Sequence, residues 1–323
     1  MRIAINGLGR IGRQVLRQAM ARPELEVAAL NDLGDPAVLA HLVAWDSVHG
    51  PAPFRVEAEG SALVLDGRRV PLFRDPAPGA FRDSGAGTVL ECTGRHGTRE
   101  AASAHLGGSV TRVLLSAPFE GDGPVVLPAL APHQPPPPPA ASAGCPASQA
   151  LALLLEVLDG AFGVEAALAT AVESYGNDQR ILDLPHADPR MARAASMSMI
   201  PAPTRAGECL AQARPWTAGR LEVSAVRVPT PDVSLVDLGV RLRRDADAAA
   251  VDAAFRAAVR PGLLEILEAQ LVSVDLRGRR ASAILDPWLT RVISPRFLKV
   301  YAWYDNEAAY AARLLDLCAE APR

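Results

Sequence analysis

The sequence predicts an α/β protein of two domains. The first is a parallel sheet with crossover helices, and the second is an α+β domain on a mixed or antiparallel sheet. Three observations carry this reading. Apolar strand-like runs alternate with helical patterns through roughly the first 120 residues. A proline-rich stretch, APHQPPPPPAASAG (131–144), then interrupts the pattern. Beyond it come long runs of period-two alternation.

In chain order, RIAIN (2–6) is a short apolar strand, and GLGRIGRQVLRQAM turns and opens a helix. LEVAALND (25–32) is a second strand ending in an acid, followed by hairpin-like alternation such as ALVLDGRRVPLF (62–73). TVLECTG (88–94) and RVLLSAP (112–118) are buried-strand runs, each closed by a turn. Proline removes ladder donors and favours extended geometry, so 131–144 holds no central strand and marks the boundary. The expected domains are 1–144 and 145–303, the first completed by a C-terminal helix of about 304–323. ALALLLEVLDGAF (150–162) reads as a helix, and LEVSAVRVP, VSLVDLGVRL and LLEILEAQLVSVDL read as alternating runs. KVYAWYDNEAAYAARLLDLCAEA reads as strand, turn and amphipathic helix.

The chain has 323 residues and is 49% hydrophobic, enough for two packed cores. With 33 basic and 36 acidic side chains it offers no electrostatic reason to expect nucleic acid or an anionic membrane as partner. Cys92, Cys145, Cys209 and Cys318 are far apart in sequence and show no CxxC spacing, so neither a metal site nor a disulfide framework is expected. The start shows no charged leader, and no window of about 18 apolar residues lacks charge. A soluble, cytoplasmic protein is expected.

Gly7-Leu-Gly-Arg-Ile-Gly12 matches GxGxxG. It follows a strand and opens a helix, and Asp32 stands twenty residues past the last glycine at the end of the next strand. That context is the Rossmann dinucleotide fold. The glycines admit a pyrophosphate to the helix N-terminus, where unpaired N–H groups and the helix dipole favour anions. A carboxylate at Asp32 accepts from ribose hydroxyls and repels a 2′-phosphate, so NAD is expected over NADP.

INGLGRIGR, AWDSVHG (44–50), FRDP (73–76), ECTG (91–94), LLSAP (114–118), YGNDQRILDLPH (175–186), RAASMSMIP (193–201), VRVPTPDVSLVDL (226–238) and WYDNEAAY (303–310) stand in one order along the chain. In these the sequence resembles the glyceraldehyde-3-phosphate dehydrogenase family, including erythrose-4-phosphate dehydrogenase. The resemblance implies an NAD domain, a mixed-sheet catalytic domain, a homotetramer, and a small phosphorylated aldehyde or ketose as substrate. It places Gly7, Gly9, Arg10, Ile11, Gly12, Asp32, Arg74, Thr93 and Ser116 on NAD, with Asn306 orienting the nicotinamide amide. Leu184 and Pro185 match a pair that accompanies NAD preference. Asp178, Arg190 or Arg193, Thr204, Arg205 and Arg227 fall in the phosphate-binding regions.

The chemistry end departs from the pattern. The family's nucleophile lies in Ser-Asn-Ala-Ser-Cys-Thr-Thr-Asn-Cys, where this chain has Ala141-Ser-Ala-Gly-Cys-Pro-Ala-Ser-Gln149. Counted back from Val157, Leu158, Phe162 and Gly163 without a gap, Pro146 takes the cysteine's place. With one residue absorbed in the first turn, Cys145 takes it. Glu173 stands where the family has its histidine base, Gly176 replaces a threonine, and Arg205 and Glu208 replace a glycine and a lysine of the inorganic-phosphate loop. A carboxylate repels a thiolate, so Cys145 is expected to be less reactive than a thiol paired with imidazole. Three readings stay open. Cys145 and Glu173 oxidise an aldehyde with NAD, water replacing phosphate. Glu173 shuttles a proton in an isomerase-type reaction, with NAD structural or absent. Or the chain binds NAD without catalysis.

Overall fold

The computed structural model describes residues 1–130 and 138–319; of the five-proline run at the expected boundary, 135–137 lie outside them and Pro138 and Pro139 within. The chain divides into two compact units. One comprises Met1–Pro128, the residues up to Gly144, and the chain from Tyr310 onward; the other is chiefly Cys145–Ala309.

Among the described residues the first unit carries the strands β1 Arg2–Asn6, β2 Glu26–Asn31, β3 Trp45–Asp46, β4 Gly50–Pro51, β5 Val56–Ala58, β6 Ala62–Leu65, β7 Arg68–Phe73, β8 Thr88–Glu91, β9 Arg112–Leu115 and β10 Ala140–Ser142. Its helices are α1 Arg10–Ala19, α2 Pro36–Ala44 and α3 Arg99–Ser103. The main sheet runs β10-β9-β8-β1-β2-β7-β6-β5. It is parallel from β10 to β7 and closes with antiparallel pairs β7–β6 and β6–β5. β10 is an edge strand, the place where a proline-flanked segment is tolerated.

α2 begins where its sequence says it should. The Asp35 carboxylate accepts from the N–H groups of Ala37 (2.9 Å) and Val38 (3.2 Å), and Pro36 fills the first turn, where its missing N–H costs nothing. Ile3, Ile5, Val15, Leu16, Leu30, Leu90, Leu114, Leu314 and Leu315 pack in one buried cluster, which ties the C-terminal segment to this sheet.

The second unit opens with α4 Pro146–Phe162 and continues through β11 Val164–Ser174, β12 Ile200–Ala202, α5 Ala206–Ala213, β13 Leu221–Val228, β14 Ser234–Leu242 and α6 Ala248–Ala257. It ends with β15 Leu264–Ile266, β16 Ala283–Leu285, β17 Arg291–Ser294 and β18 Phe297–Tyr304, after which α7 (Ala308–Ala319) begins. The sheet order is β12-β13-β11-β14-β18-β16-β15, with β17 paired to β18. It is mixed, since β11–β13 and β15–β16 are parallel and the other pairs antiparallel. The alternating runs at 221–228 and 234–242 became strands, but LLEILEAQLVSVDL did not become one long strand. Only Leu264–Ile266 pairs, and Ser273–Leu276 is a 3-10 turn whose Leu276 is buried in a local cluster. Alternation there serves that cluster and not a ladder.

At the start of α7, buried Asp305 accepts from the N–H groups of Glu307 (2.9 Å), Ala308 (2.6 Å) and Gly278 (2.7 Å). Asp232, also buried, shares a hydrogen bond with it. Burial and then the Asp305 charge push the Asp232 carboxyl up to about 8, so it is held protonated as the donor. A carboxyl whose folded pKa is raised contributes stability that is greatest below its ordinary value of 3.8 and is lost as pH rises through about 8. Asp232→Asn keeps a donor and removes the titration. Its thermal midpoint is expected to gain on the parent's steadily from about pH 4 to pH 8 and to level off above. A constant offset across that range, read by thermal melts, would refute the shared proton.

Candidate active site

In the first unit, the residues expected on the cofactor stand just past the carboxyl ends of parallel strands: Gly7 after β1, Asp32 after β2, Arg74 after β7, Thr93 after β8 and Ser116 after β9. The strand order reverses at β1, which is flanked by β2 and β8, and a sheet of this kind takes ligands at that crevice. Gly7 has φ +91°, a left-handed backbone that glycine adopts without strain. A Cβ on Gly12 would lie 1.8 Å from the Gly7 carbonyl oxygen, so this glycine is what lets α1 sit against β1. A Cβ on Gly9, by contrast, would meet nothing within 4 Å. Gly9 is the N-cap of α1, no side chain caps the helix, and no acid stands in its first turn. Open space over an uncapped helix N-terminus fits a pyrophosphate, and Arg10 and Ile11 open that first turn.

Asp32 shapes the loop as well as facing it. Its Oδ2 accepts from the Leu8 N–H (2.7 Å) and its Oδ1 from the Gly34 N–H (2.8 Å), and each oxygen keeps a lone pair for a ribose hydroxyl. Arg74 donates to the Leu33 carbonyl (3.0 Å), and Ser116 bonds the Cys92 thiol. Thr93 donates through both its N–H and its hydroxyl to buried Glu91.

Glu91, His96 and His105 offer ligand atoms within 4.8 Å of one another, and Glu91 and His105 are joined in a polar network. Glu91 also accepts from Asn6 and from His105 Nε2 (3.1 Å). His105 Nδ1 accepts from the Gly79 N–H (3.4 Å), which puts the ring proton on Nε2, the atom a metal would need.

In the second unit, Cys145 is the half-buried N-cap of α4, and Pro146 is the first helical residue. A capping box holds the turn. The Cys145 N–H donates to Ser148 Oγ (2.9 Å), and the Cys145 sulfur accepts from the Ser148 N–H. The Cys145 sulfur is also hydrogen-bonded to the thiol of Cys209 in the first turn of α5. That bond, and next among the favourable contacts the Ser148 N–H, outweigh desolvation and the Glu173 charge, so the Cys145 thiol is held below its ordinary range. The Glu173 charge opposes this lowering. Cys209, the donor of the pair, is pushed up.

Glu173 and Arg227 are register partners in the parallel β11–β13 ladder. Their side chains form an ion pair at 3.6 Å, and Arg227 also donates to Asp178 (2.9 Å) and Gln179 (3.2 Å). Burial is the largest influence on Glu173; together with Asp178 it raises the carboxyl above the ordinary range despite Arg227. A Cβ on Gly176 would lie 2.2 Å from Asp178 Oδ1 and 2.4 Å from Arg227 Nη1, so the missing threonine makes room for this pairing. Arg227 Nε is the atom that faces Glu173 in this ion pair; it is buried and too far from the carboxylate for a hydrogen bond. Ser174 Oγ (2.9 Å) and Ser234 Oγ (3.0 Å) both donate to Asn306 Oδ1, which fixes the amide and turns its NH₂ outward from them. Tyr304 is buried, and the charges of Glu173 and Cys145, after burial, raise its hydroxyl further.

The remaining phosphate candidates are engaged on their own loops. Arg193 pairs with Asp183 (3.4 Å), Arg205 pairs with Glu208 (2.7 Å), and the Arg190 N–H donates to Asp188 (2.8 Å). Thr204 Oγ1 accepts from the Ala206 N–H (3.2 Å) and opens α5. Leu184 is exposed on the loop between β11 and β12. Of the expected arginines, Arg227 is the one that pairs with both Glu173 and Asp178 among the described residues. Sequence reasoning missed Cys209 and Gln179. Cys209 carried no motif, and nothing in its spacing from Cys145 announced the contact.

Two family descriptions match the chain: "Glyceraldehyde 3-phosphate dehydrogenase, NAD binding domain" over residues 1–99 and "Glyceraldehyde 3-phosphate dehydrogenase, C-terminal domain" over residues 145–306. The chain is 42% identical to "Glyceraldehyde-3-phosphate dehydrogenase 1" of Bacillus cereus, covering 98% of this chain and 97% of that one. It is 41% identical to "Glyceraldehyde-3-phosphate dehydrogenase" of Geobacillus stearothermophilus (99% and 97%), and 41% identical to the protein of that name from Kitasatospora aureofaciens (98% and 97%).

Proposed function

Because the chain belongs to the glyceraldehyde-3-phosphate dehydrogenase family and takes NAD as its cofactor, we propose that it oxidises a small phosphorylated aldehyde to the acid, with water in place of inorganic phosphate. The observation that carries this reading is the Cys145 sulfur, supported as an anion by the Ser148 N–H and the Cys209 thiol. A thiolate at a helix N-terminus is a competent nucleophile at neutral pH.

In this reading the Cys145 thiolate adds to the aldehyde carbon and forms a tetrahedral alkoxide, the anion of a thiohemiacetal. NAD, when bound, supplies the hydride acceptor that converts this adduct to a thioester. Glu173 then takes a proton from water as the water attacks the thioester, the C–S bond breaks, and the acid leaves. Its raised carboxyl suits a base of this kind. Arg227 holds the substrate phosphate with its guanidinium, which the phosphate draws from its carboxylate partners. Water fits better than phosphate as acceptor because Arg205 is neutralised by Glu208 in the loop that would hold inorganic phosphate.

Glyceraldehyde 3-phosphate with NAD, with and without phosphate, tests this directly. NADH formation at the same rate in both, with the carboxylic acid as the product by NMR, is expected. Deuterium exchange at the substrate's C2 without NADH would replace this reading with proton transfer by Glu173. Neither signal would leave an NAD-binding protein without this chemistry.

We also propose a homotetramer in the cytoplasm. Exposed Ile181, Leu182, Met197 and Met199 on the loop between β11 and β12 support burial against further copies. Four free cysteines suit a reducing compartment. Among the described residues no helix is long and apolar enough to cross a membrane.

A further inference from the structure

A buried ring of hydrogen bonds runs beneath the cofactor loops of the first unit. Glu91, Asn6, Asn31 and His105 are each at most 4% exposed. One Glu91 oxygen accepts from the Thr93 N–H (2.7 Å) and hydroxyl, the other from Asn6 Nδ2 and His105 Nε2 (3.1 Å). Asn6 Oδ1 accepts from Asn31 Nδ2 (2.6 Å). The Asn31 amide then grips the backbone of Asp75, accepting from its N–H (2.9 Å) and donating to its carbonyl (2.8 Å). Gly79, farther along that loop, donates to His105 Nδ1 (3.4 Å) and closes the ring. The ring joins the carboxyl ends of β8, β1, β2 and β7. Its members adjoin Gly7, Asp32 and Arg74 in the chain and bond Thr93 directly.

The acceptor-only member fixes the direction of the rest. Burial opposes a charge on Glu91, yet the bonds from His105, Thr93 and Asn6 outweigh it and hold the carboxyl below its ordinary range. A carboxylate only accepts, and here each oxygen takes two donors. Asn6 must therefore turn its NH₂ toward Glu91 and its carbonyl toward Asn31. Asn31 must turn its NH₂ toward Asn6, which leaves its carbonyl for the Asp75 N–H. Reversing one amide would set donor against donor at the next.

We propose that Glu91 is a positioning residue for NAD: its charge orients the Asn6–Asn31 relay and so holds the Thr93 and Arg74 loops in the form that receives the cofactor. It acts through Thr93, Asn6 and Asn31, not by contact with NAD. Only cofactor binding is involved, so the aldehyde chemistry does not enter.

Calorimetric titration of the full chain with NAD tests this. In Glu91→Gln, whichever oxygen becomes the NH₂ faces two donors, so Thr93 or Asn6 must turn away. NAD affinity is expected to fall about tenfold or more, the scale of one hydrogen bond to a charged group. Combining Glu91→Gln with Asn6→Asp moves the charge one step along the relay. The new carboxylate accepts from Asn31 and from the new amide, whose oxygen keeps the Thr93 donors. His105 changes tautomer at the expense of its long bond from Gly79. Most of the lost affinity is expected to return. Val113→Ala, in an apolar cluster of the same sheet and outside the ring, is expected to lower the thermal midpoint and leave NAD affinity unchanged. That control separates positioning from lost stability. Should Glu91→Gln fail to fold, Asn31→Ala cuts the relay at Asp75 and is expected to weaken NAD binding in the same way. Unchanged affinity in the folded relay variant overturns the proposal. So does a double variant no tighter than Glu91→Gln, or a Val113→Ala variant that loses NAD to the same degree.

Discussion

Cys145→Ser is expected to lower NADH formation from a phosphorylated aldehyde by about a thousandfold or more, the scale on which loss of a covalent nucleophile is felt. A serine hydroxyl at the α4 N-cap is not ionised at neutral pH, and no imidazole stands in the base position to activate it, since that position holds Glu173. The two donors that favour an anion at Cys145, the Cys209 thiol and the Ser148 N–H, then have a neutral oxygen to serve. Serine is a good N-cap, so α4 is retained and the thermal midpoint stays at or above that of the parent. NAD affinity, measured by calorimetric titration, is expected to be unchanged because the glycine turn and Asp32 belong to the other unit. A variant that still forms NADH at the parent rate would remove Cys145 from the chemistry. It would favour the alignment in which Pro146 occupies the nucleophile's place.

Glu173→Gln should reduce turnover by about a hundredfold to ten-thousandfold, the usual contribution of a general base. The substitution keeps the shape and the polar contact to Arg227 while removing the proton acceptor. Were Glu173 only a partner neutralising Arg227, its loss would strengthen phosphate binding and show as a lower KM with kcat unchanged. The pH profile separates the two cases further. Burial raises the Glu173 carboxyl, and a base acts only when deprotonated. In the parent, kcat therefore rises with pH through a value above the ordinary carboxylate range, and this limb is expected to be absent in the glutamine variant. Glu173→His restores the family's imidazole and is expected to raise NADH formation. No effect would tell against Cys145 as nucleophile.

The cofactor end was legible because its signals are local. Gly7, Gly9 and Gly12 are spaced for one turn between β1 and α1, and each glycine has a distinct reason there: a positive φ, open space above a helix end, and close approach to the Gly7 carbonyl. The chemistry end was legible only in its departures. Glu173, Gly176 and Arg205 could be seen as replacements, but not what each replacement touched. Gly176 makes sense once Asp178 and Arg227 are seen filling the space a Cβ would take.

By itself the sequence determined the two-layered order of strands and helices, the glycine turn with Asp32, and the family to which the chain belongs. Each rests on periodicity or spacing over a few tens of residues, a range in which backbone geometry dictates where a side chain points. Only the tertiary structure decided that Glu173 faces Arg227, through the register of β11 on β13, and that Cys209 donates to Cys145, through the packing of α5 on α4. Strand register and helix packing are set by the whole buried interface, and a one-residue slip turns a side chain to the opposite face. The environment of the Cys145 thiol follows from such contacts in the same way.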